Sequence, residues 1–149
     1  MAKLSDAAWR LDLAAYPHVI EMRGAYTDVD SNQHLNNVAF ARFFDEGRAA
    51  MNMTVFGEDA IVRPSPAQQL LYVTVTIEYL AEGRYPGLLT VGTAISRIGG
   101  SSFGEAGGLF QDGRCIALCE AVNVFARNGR PEKLPADIAG ALKALQPKT

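Results

Sequence analysis

Six short polar side chains, Asp28, Asp30, Asn32, His34, Asn36 and Asn37, stand at every second position or closer just before a long apolar segment. Aspartate and asparagine in such a place cap a helix and shape the loop that enters it, but a cap needs one or two such residues. Asp28, Asp30 and Asn32 match the first three ligand positions of a calcium loop. The sixth position, where the turn demands glycine, is Gln33, and the twelfth, where a bidentate glutamate belongs, is Ala39. The remaining reading is catalytic. A carboxylate and an imidazole stand beside a helix N-terminus at Asn36 and Asn37, whose unpaired N–H groups suit a developing oxyanion. Acyl transfer is the reaction class this fits, with the carboxylate activating water or attacking directly.

Groups placed this way need a frame. Residues 18–26 mix branched and polar side chains without helical spacing and predict a first strand, and 27–32 are rich in turn formers. From Asn37 to about Thr54, Val38, Phe40, Phe43, Phe44, Met51 and Met53 recur without a proline. They predict a long helix, apolar around most of its circumference and therefore buried, on which Arg42 and Glu46 have the spacing of an i,i+4 ion pair. Residues 57–66, with Gly57, Pro64 and Pro66, predict a loop.

Four segments of strand character follow, 70–82, 88–98, 102–111 and 114–127. They are separated by Gly83-Arg84-Tyr85-Pro86-Gly87, by Gly99-Gly100 and by the hairpin pair Asp112-Gly113. Connectors this short predict an antiparallel meander, and residues 134–145 predict a terminal helix. The fold class is α+β: a five-stranded antiparallel sheet wrapped around one long central helix, with a short C-terminal helix. An open sheet of this kind leaves an edge strand and spare apolar surface, which predicts a homodimer or homotetramer.

At 149 residues the chain has the length of one domain, spanning 1–149. Its 14 basic and 16 acidic residues give no pull towards nucleic acid or an anionic membrane. Apolar stretches stay far below the roughly 20 residues of a membrane span, and residues 1–6 lack a secretory core, so the expected location is cytoplasmic. Cys115 and Cys119, four apart on a strand, sit roughly 13 Å from one another and cannot form a disulfide. They read as buried, inert thiols. With two histidines in the chain, His18 and His34, neither spaced as a ligand pair with the thiols, no metal site is expected.

The run Asp28-Val29-Asp30-Ser31-Asn32-Gln33-His34-Leu35-Asn36-Asn37 closely resembles the D-x-D-x-N-x-H-x-N-N segment of hot-dog-fold thioesterases. It is most similar to the catalytic module of the plant acyl-carrier-protein thioesterases, and more broadly to bacterial acyl-CoA and 4-hydroxybenzoyl-CoA thioesterases. Ile77-Glu78-Tyr79-Leu80-Ala81-Glu82 resembles the strand segment that ends in a functional glutamate in the plant enzymes. The resemblance implies a hot-dog fold and places Asp30, Asn32, His34 and Glu82 at catalytic positions. Where the plant pattern has a cysteine after the glutamate, this chain has Gly83, so a thiol nucleophile there is excluded.

Chemically, Asp30 is then the general base or nucleophile. Asn32 and His34 orient substrate or water, and Glu82 is the second carboxylate. Arg127, Arg130 and Lys133 could receive the phosphates of coenzyme A, since guanidinium forks suit phosphate geometry. The expected activity is hydrolysis of an acyl-CoA or acyl-carrier-protein thioester, with no cofactor beyond the coenzyme A of the substrate. The alternatives are a hydratase or dehydratase on the same thioesters, or a non-catalytic acyl-binding protein.

Overall fold

The computed structural model describes residues 2–148. Three short 3-10 turns, Leu4–Asp6, Ala8–Leu11 and Leu13–Ala15, lead into β1 (His18–Arg23), and a further turn, Tyr26–Asp28, precedes helix α1 (Asn37–Phe56). A short helix α2 (Glu58–Val62), in the stretch expected as loop, leads to β2 (Gln69–Tyr79), β3 (Leu88–Ile98), β4 (Ser102–Gln111) and β5 (Arg114–Arg127). The two-residue β6 (Arg130–Pro131) and helix α3 (Ala136–Lys143) complete the chain. The first acidic side chains of α2, Glu58 and Asp59, occupy its opening turn, where they complement the exposed N–H groups and stabilise a helix too short to hold on propensity alone.

The strands are antiparallel in the order β1-β3-β4-β5-β2, with β6 on the end of β5. β3, β4 and β5 form the expected meander. β2 does not join it beside β3. It lies at the far edge, paired along its length with β5, from Gln69 opposite Ala126 to Tyr79 opposite Ala117. Residues 80–87 therefore cross the end of the sheet instead of closing a hairpin. The connector is short, but the curl of the sheet around α1 brings the β2 edge near enough to β3 to be bridged.

Helix α1 presents Ala39, Phe40, Phe43, Phe44, Gly47 and Met51 to the concave face at three- and four-residue spacing. Phe43 and Met51 are fully buried, and each such side chain stabilises the fold by roughly 2–3 kcal/mol. The helix can approach β3 closely because residue 47 is glycine: a Cβ there would stand 2.6 Å from Val91 Cγ1. The opposite face of α1 is open, with Val38 71% exposed, so the helix is covered on one side and not all round. Arg42 does not pair with Glu46 as the spacing suggested; its guanidinium reaches back to Asp28 at 2.6 Å.

The convex face of the sheet is covered by the N-terminal turns, whose Trp9, Leu13 and Tyr16 pack on Ala94, Phe110 and Cys115. Arg10 fastens this cover to Glu120 at 2.8 Å. The two cysteines are free thiols, each pushed by burial up to about 11, so neither is ionised near neutrality.

Candidate active site

The polar run ahead of α1 forms one tight turn closed by its own backbone. Asp30 Oδ1 accepts the N–H groups of Asn32 at 2.8 Å and His34 at 3.2 Å. Asp30 N–H donates to the His34 carbonyl at 2.9 Å. This is the local competition for backbone partners that aspartate wins in loops, and among the described residues it leaves Oδ2 of Asp30 without a bonding partner. Asn36 caps α1, its side chain accepting from Ala39 N–H at 2.8 Å, while Phe40 N–H returns to the Asn36 carbonyl at 3.3 Å. Of the four N–H groups that open a helix, those of Asn37 and Val38 are left over.

Asp28 has a different task. It is buried, accepts from Ala25 N–H at 2.7 Å and pairs with Arg42 at 2.6 Å. Its carbonyl also accepts Asn36 N–H at 2.8 Å, so it ties the loop to the first turns of α1. Burial sets Asp28 apart from the exposed Asp30.

Glu82 arrives from the crossing segment. Leu80 and Ala81 N–H both donate to the Ile116 carbonyl, at 2.9 and 3.1 Å, which turns the chain off the end of β2. Leu35 N–H then donates to the Gly83 carbonyl at 2.9 Å, and His34 and Arg84 form an isolated bridge. This short antiparallel contact between the pre-helix loop and the crossing segment sets His34 Nε2 3.0 Å from Glu82 Oε2. Residue 83 packs closely: a Cβ there would stand 2.6 Å from Leu35 Cδ1 and 3.2 Å from Ile116 Cδ1, so a side chain would make both neighbours shift. Gln111 clamps the next residue at both ends, accepting Arg84 N–H at 3.0 Å and donating to its carbonyl at 3.1 Å; nothing in the sequence flagged Gln111.

Asp30, Asn32, His34, Asn37 and Glu82 thus line one cleft of about 490 Å³, with Leu35, Phe40, Tyr79 and Leu80 as its apolar wall. Asn36 stands beside it as the cap. Arg127, Arg130 and Lys133 are not part of it. Arg127 Nε donates to both carboxylate oxygens of Glu132, at 3.1 and 2.9 Å, and Arg127 closes β5 at the end that faces Gln69. That end lies roughly 30 Å from the Tyr79 end at about 3.3 Å per residue. Among the described residues, no helix is long and apolar enough to cross a membrane.

A family model described as the thioesterase-like superfamily matches residues 25–142, so the chain belongs to that superfamily, and its fold is the hot-dog fold. Three solved structures illustrate the likeness. The PA5185 protein of Pseudomonas aeruginosa PAO1 is 27% identical with a TM-score of 0.76, over 91% of this chain and 95% of that one. The predicted thioesterase of Bacillus stearothermophilus is 24% identical with a TM-score of 0.79, over 87% and 96%. A thioesterase of Thermus thermophilus solved with coenzyme A and zinc is 21% identical with a TM-score of 0.78, over 89% and 96%. Comparison with curated proteins gives no match.

Proposed function

We propose that the protein hydrolyses an acyl thioester, with coenzyme A or an acyl-carrier protein as the thiol. The observation that carries this reading is Asp30: one carboxylate oxygen is fixed by two backbone donors and the other is free, in a cleft that also holds the His34–Glu82 pair and the head of α1.

With the acyl group against Phe40, Tyr79 and Leu80, the thioester carbonyl lies at the helix N-terminus. The spare N–H groups of Asn37 and Val38 stabilise the oxyanion there as a water oxygen bonds to the carbonyl carbon. Asp30 takes the proton of that water. The C–S bond then breaks and the proton passes to the departing sulfur, so that an acid and a thiol leave. Glu82 holds one nitrogen of the His34 ring, which fixes the ring and leaves its other nitrogen, with the Asn32 amide, to orient water or substrate.

We also propose that the working unit is a homodimer or a dimer of such dimers. β2 is an edge strand with Val73, Val75 and Tyr79 between 47% and 58% exposed, a long apolar edge of the kind proteins cover. A second copy pairing antiparallel along β2 would cover it symmetrically. Such pairing carries the partner's Arg127, Arg130 and Lys133 towards this cleft, and it is the arrangement in which that cluster could meet coenzyme A phosphates.

The test is release of free thiol from a panel of acyl-CoA thioesters, read beside hydration of crotonyl-CoA. Thiol release from at least one member is expected. Hydration without thiol release would replace the hydrolase with a hydratase. A 16.0 kDa species in light scattering at micromolar concentration would exclude the dimer.

A further inference from the structure

The N-terminal cover of the convex face crosses the strands instead of lying along one of them. Tyr16 sits over β3 and β4, in a notch made by Gly92 and Gly108, which face one another across the two strands. A Cβ at these glycines would stand 2.6 and 2.7 Å from the tyrosine. Further out, Arg10 reaches Glu120 on β5, and the N–H groups of Leu4 and Ser5 both donate to the Glu78 carboxylate on β2, at 2.8 and 3.1 Å. Residues 4–16 thus strap four strands together.

The two ends of this strap are held differently. Its inner end is built in: Tyr16 is 2% exposed, and the Ala15 carbonyl accepts Lys148 N–H at 2.8 Å. Its outer end, residues 4–13, hangs on side chains. It consists of 3-10 turns of three or four residues and pairs with no strand, so no backbone ladder fastens it to the sheet. Nη1 of Arg10 is buried without a partner, a cost that offsets part of what the Glu120 ion pair contributes. Segments with few shared backbone bonds and half-buried side chains are the first to open.

Beneath Trp9 and Leu13 lie Tyr16, Ala94, Phe110 and Cys115. Lifting the outer end bares these as one apolar patch of roughly 300 Å², about the area that an indole and a leucine cover, and patches of that size mark association surfaces. The patch lies on a sheet face, and another sheet stacked about 10 Å away is a natural cover for such a face. A copy of the same face has the same twist and closes the contact with a two-fold axis. Pairing along β2 keeps both convex faces on one side of the continued sheet, so a dimer offers two patches. Two such dimers stacked back to back would bury on the order of 1,200 Å², where stable interfaces begin.

We propose that residues 4–13 are a displaceable cover that competes with a second copy of the protein for the convex face. Held down, they stop back-to-back stacking; lifted, they permit it. The proposal does not rest on the thioesterase reading.

The test uses the full chain. Amide hydrogen exchange at Leu4 and Ser5 reports whether the cover is down, and light scattering, at a concentration where the wild-type mass is constant, reports the particle. The double variant Trp9→Ala/Arg10→Gln removes the indole, the guanidinium 4.9 Å above it and the Glu120 ion pair, and leaves the glycine notch in place. Exchange at both amides is expected to quicken and the particle mass to double relative to wild type, reverting on dilution. Glu78→Ala frees Leu4 and Ser5 alone. It is expected to move both readings the same way, and it stands in should the double variant lose its cooperative thermal transition.

Faster exchange at an unchanged mass overturns the proposal, as does a doubled mass with the amides still protected. So do particles that grow without stopping at twice the wild-type mass, which would show bare apolar surface and no defined partner face.

Discussion

Glu105 on β4 is 0% exposed and sits between the two main apolar clusters, beneath α1. Asn123 Nδ2 donates to its Oε1 at 2.9 Å and Asn52 Nδ2 to its Oε2 at 3.2 Å. Burial pushes its carboxyl from an ordinary 4.5 up to about 7, against the opposing pull of the Asn123 bond, the Arg48 charge and the Asn52 and Tyr72 bonds. The folded protein therefore keeps its proton on Glu105 through a range in which the unfolded chain has lost it. Below about pH 4.5 both states are protonated and there is no penalty. Stability then falls as pH rises towards 7, and above 7 the full cost of ionising the buried group is present. At about 1.4 kcal/mol for each tenfold in proton affinity, that cost is roughly 3 kcal/mol.

Glu105→Gln removes the ionisation and keeps the shape. The side-chain oxygens of Asn52 and Asn123 have no partners, and either amide can turn to accept from the new one. Thermal unfolding of wild type and Glu105→Gln at pH 5 and pH 8 reads the effect directly. About 2.5 kcal/mol of that cost develops between pH 5 and pH 8, so the Tm of the variant relative to wild type should rise by roughly 5–10 °C between the two, at about 2–4 °C per kcal/mol for a chain of this size. A difference that stays constant within about 2 °C on that scale, or that moves the other way, refutes a neutral buried Glu105.

Asp30→Asn can keep both backbone hydrogen bonds to Oδ1 while losing the base, so turnover should fall roughly 100- to 10,000-fold with KM little changed; retention of more than about a tenth would dismiss Asp30 as the base. Asp28→Asn should be milder in turnover but should unfold more easily, by about 1–3 kcal/mol in denaturant titration, because it weakens a buried partner of Arg42 and Ala25. Gly83→Ala forces a methyl group towards Leu35 and Ile116 and should displace Glu82 from His34. A turnover equal to wild type would show that the crossing segment need not be held there. Dialysis against a chelator should leave the rate unchanged, and restoration of a lost rate by zinc would refute a carboxylate mechanism.

Much of this architecture was written in local pattern. The turn chemistry of Gly99-Gly100 and Asp112-Gly113 delimits β3, β4 and β5 at their observed ends, because hairpin turns depend on the residues within them. Polar crowding from Asp28 to Asn37 marked the loop that lines the cleft, since a run of Asx side chains and a helix start are contiguous in the chain. What local pattern could not carry was any relation between distant segments. Nothing near β2 says that it pairs with β5 and not with β3; that choice follows from the curl of a sheet closing on Phe43, Phe44 and Met51 of α1.

The sequence by itself marked the long helix, the main strands and the polar loop ahead of the helix, though not α2, because hydrogen bonds within a turn and side chains along one helix face span only a few residues. Tertiary structure alone decided that Asp28 is an anchor paired with Arg42 while Asp30 keeps a free oxygen, and that Glu82 meets His34 across the Leu35–Gly83 backbone contact. It also decided that Arg127 and Arg130 stand at the end of β5 away from the Tyr79 end that lines the cleft. Each of these depends on burial or on the meeting of segments dozens of residues apart, and those are set by how the whole chain closes around its core.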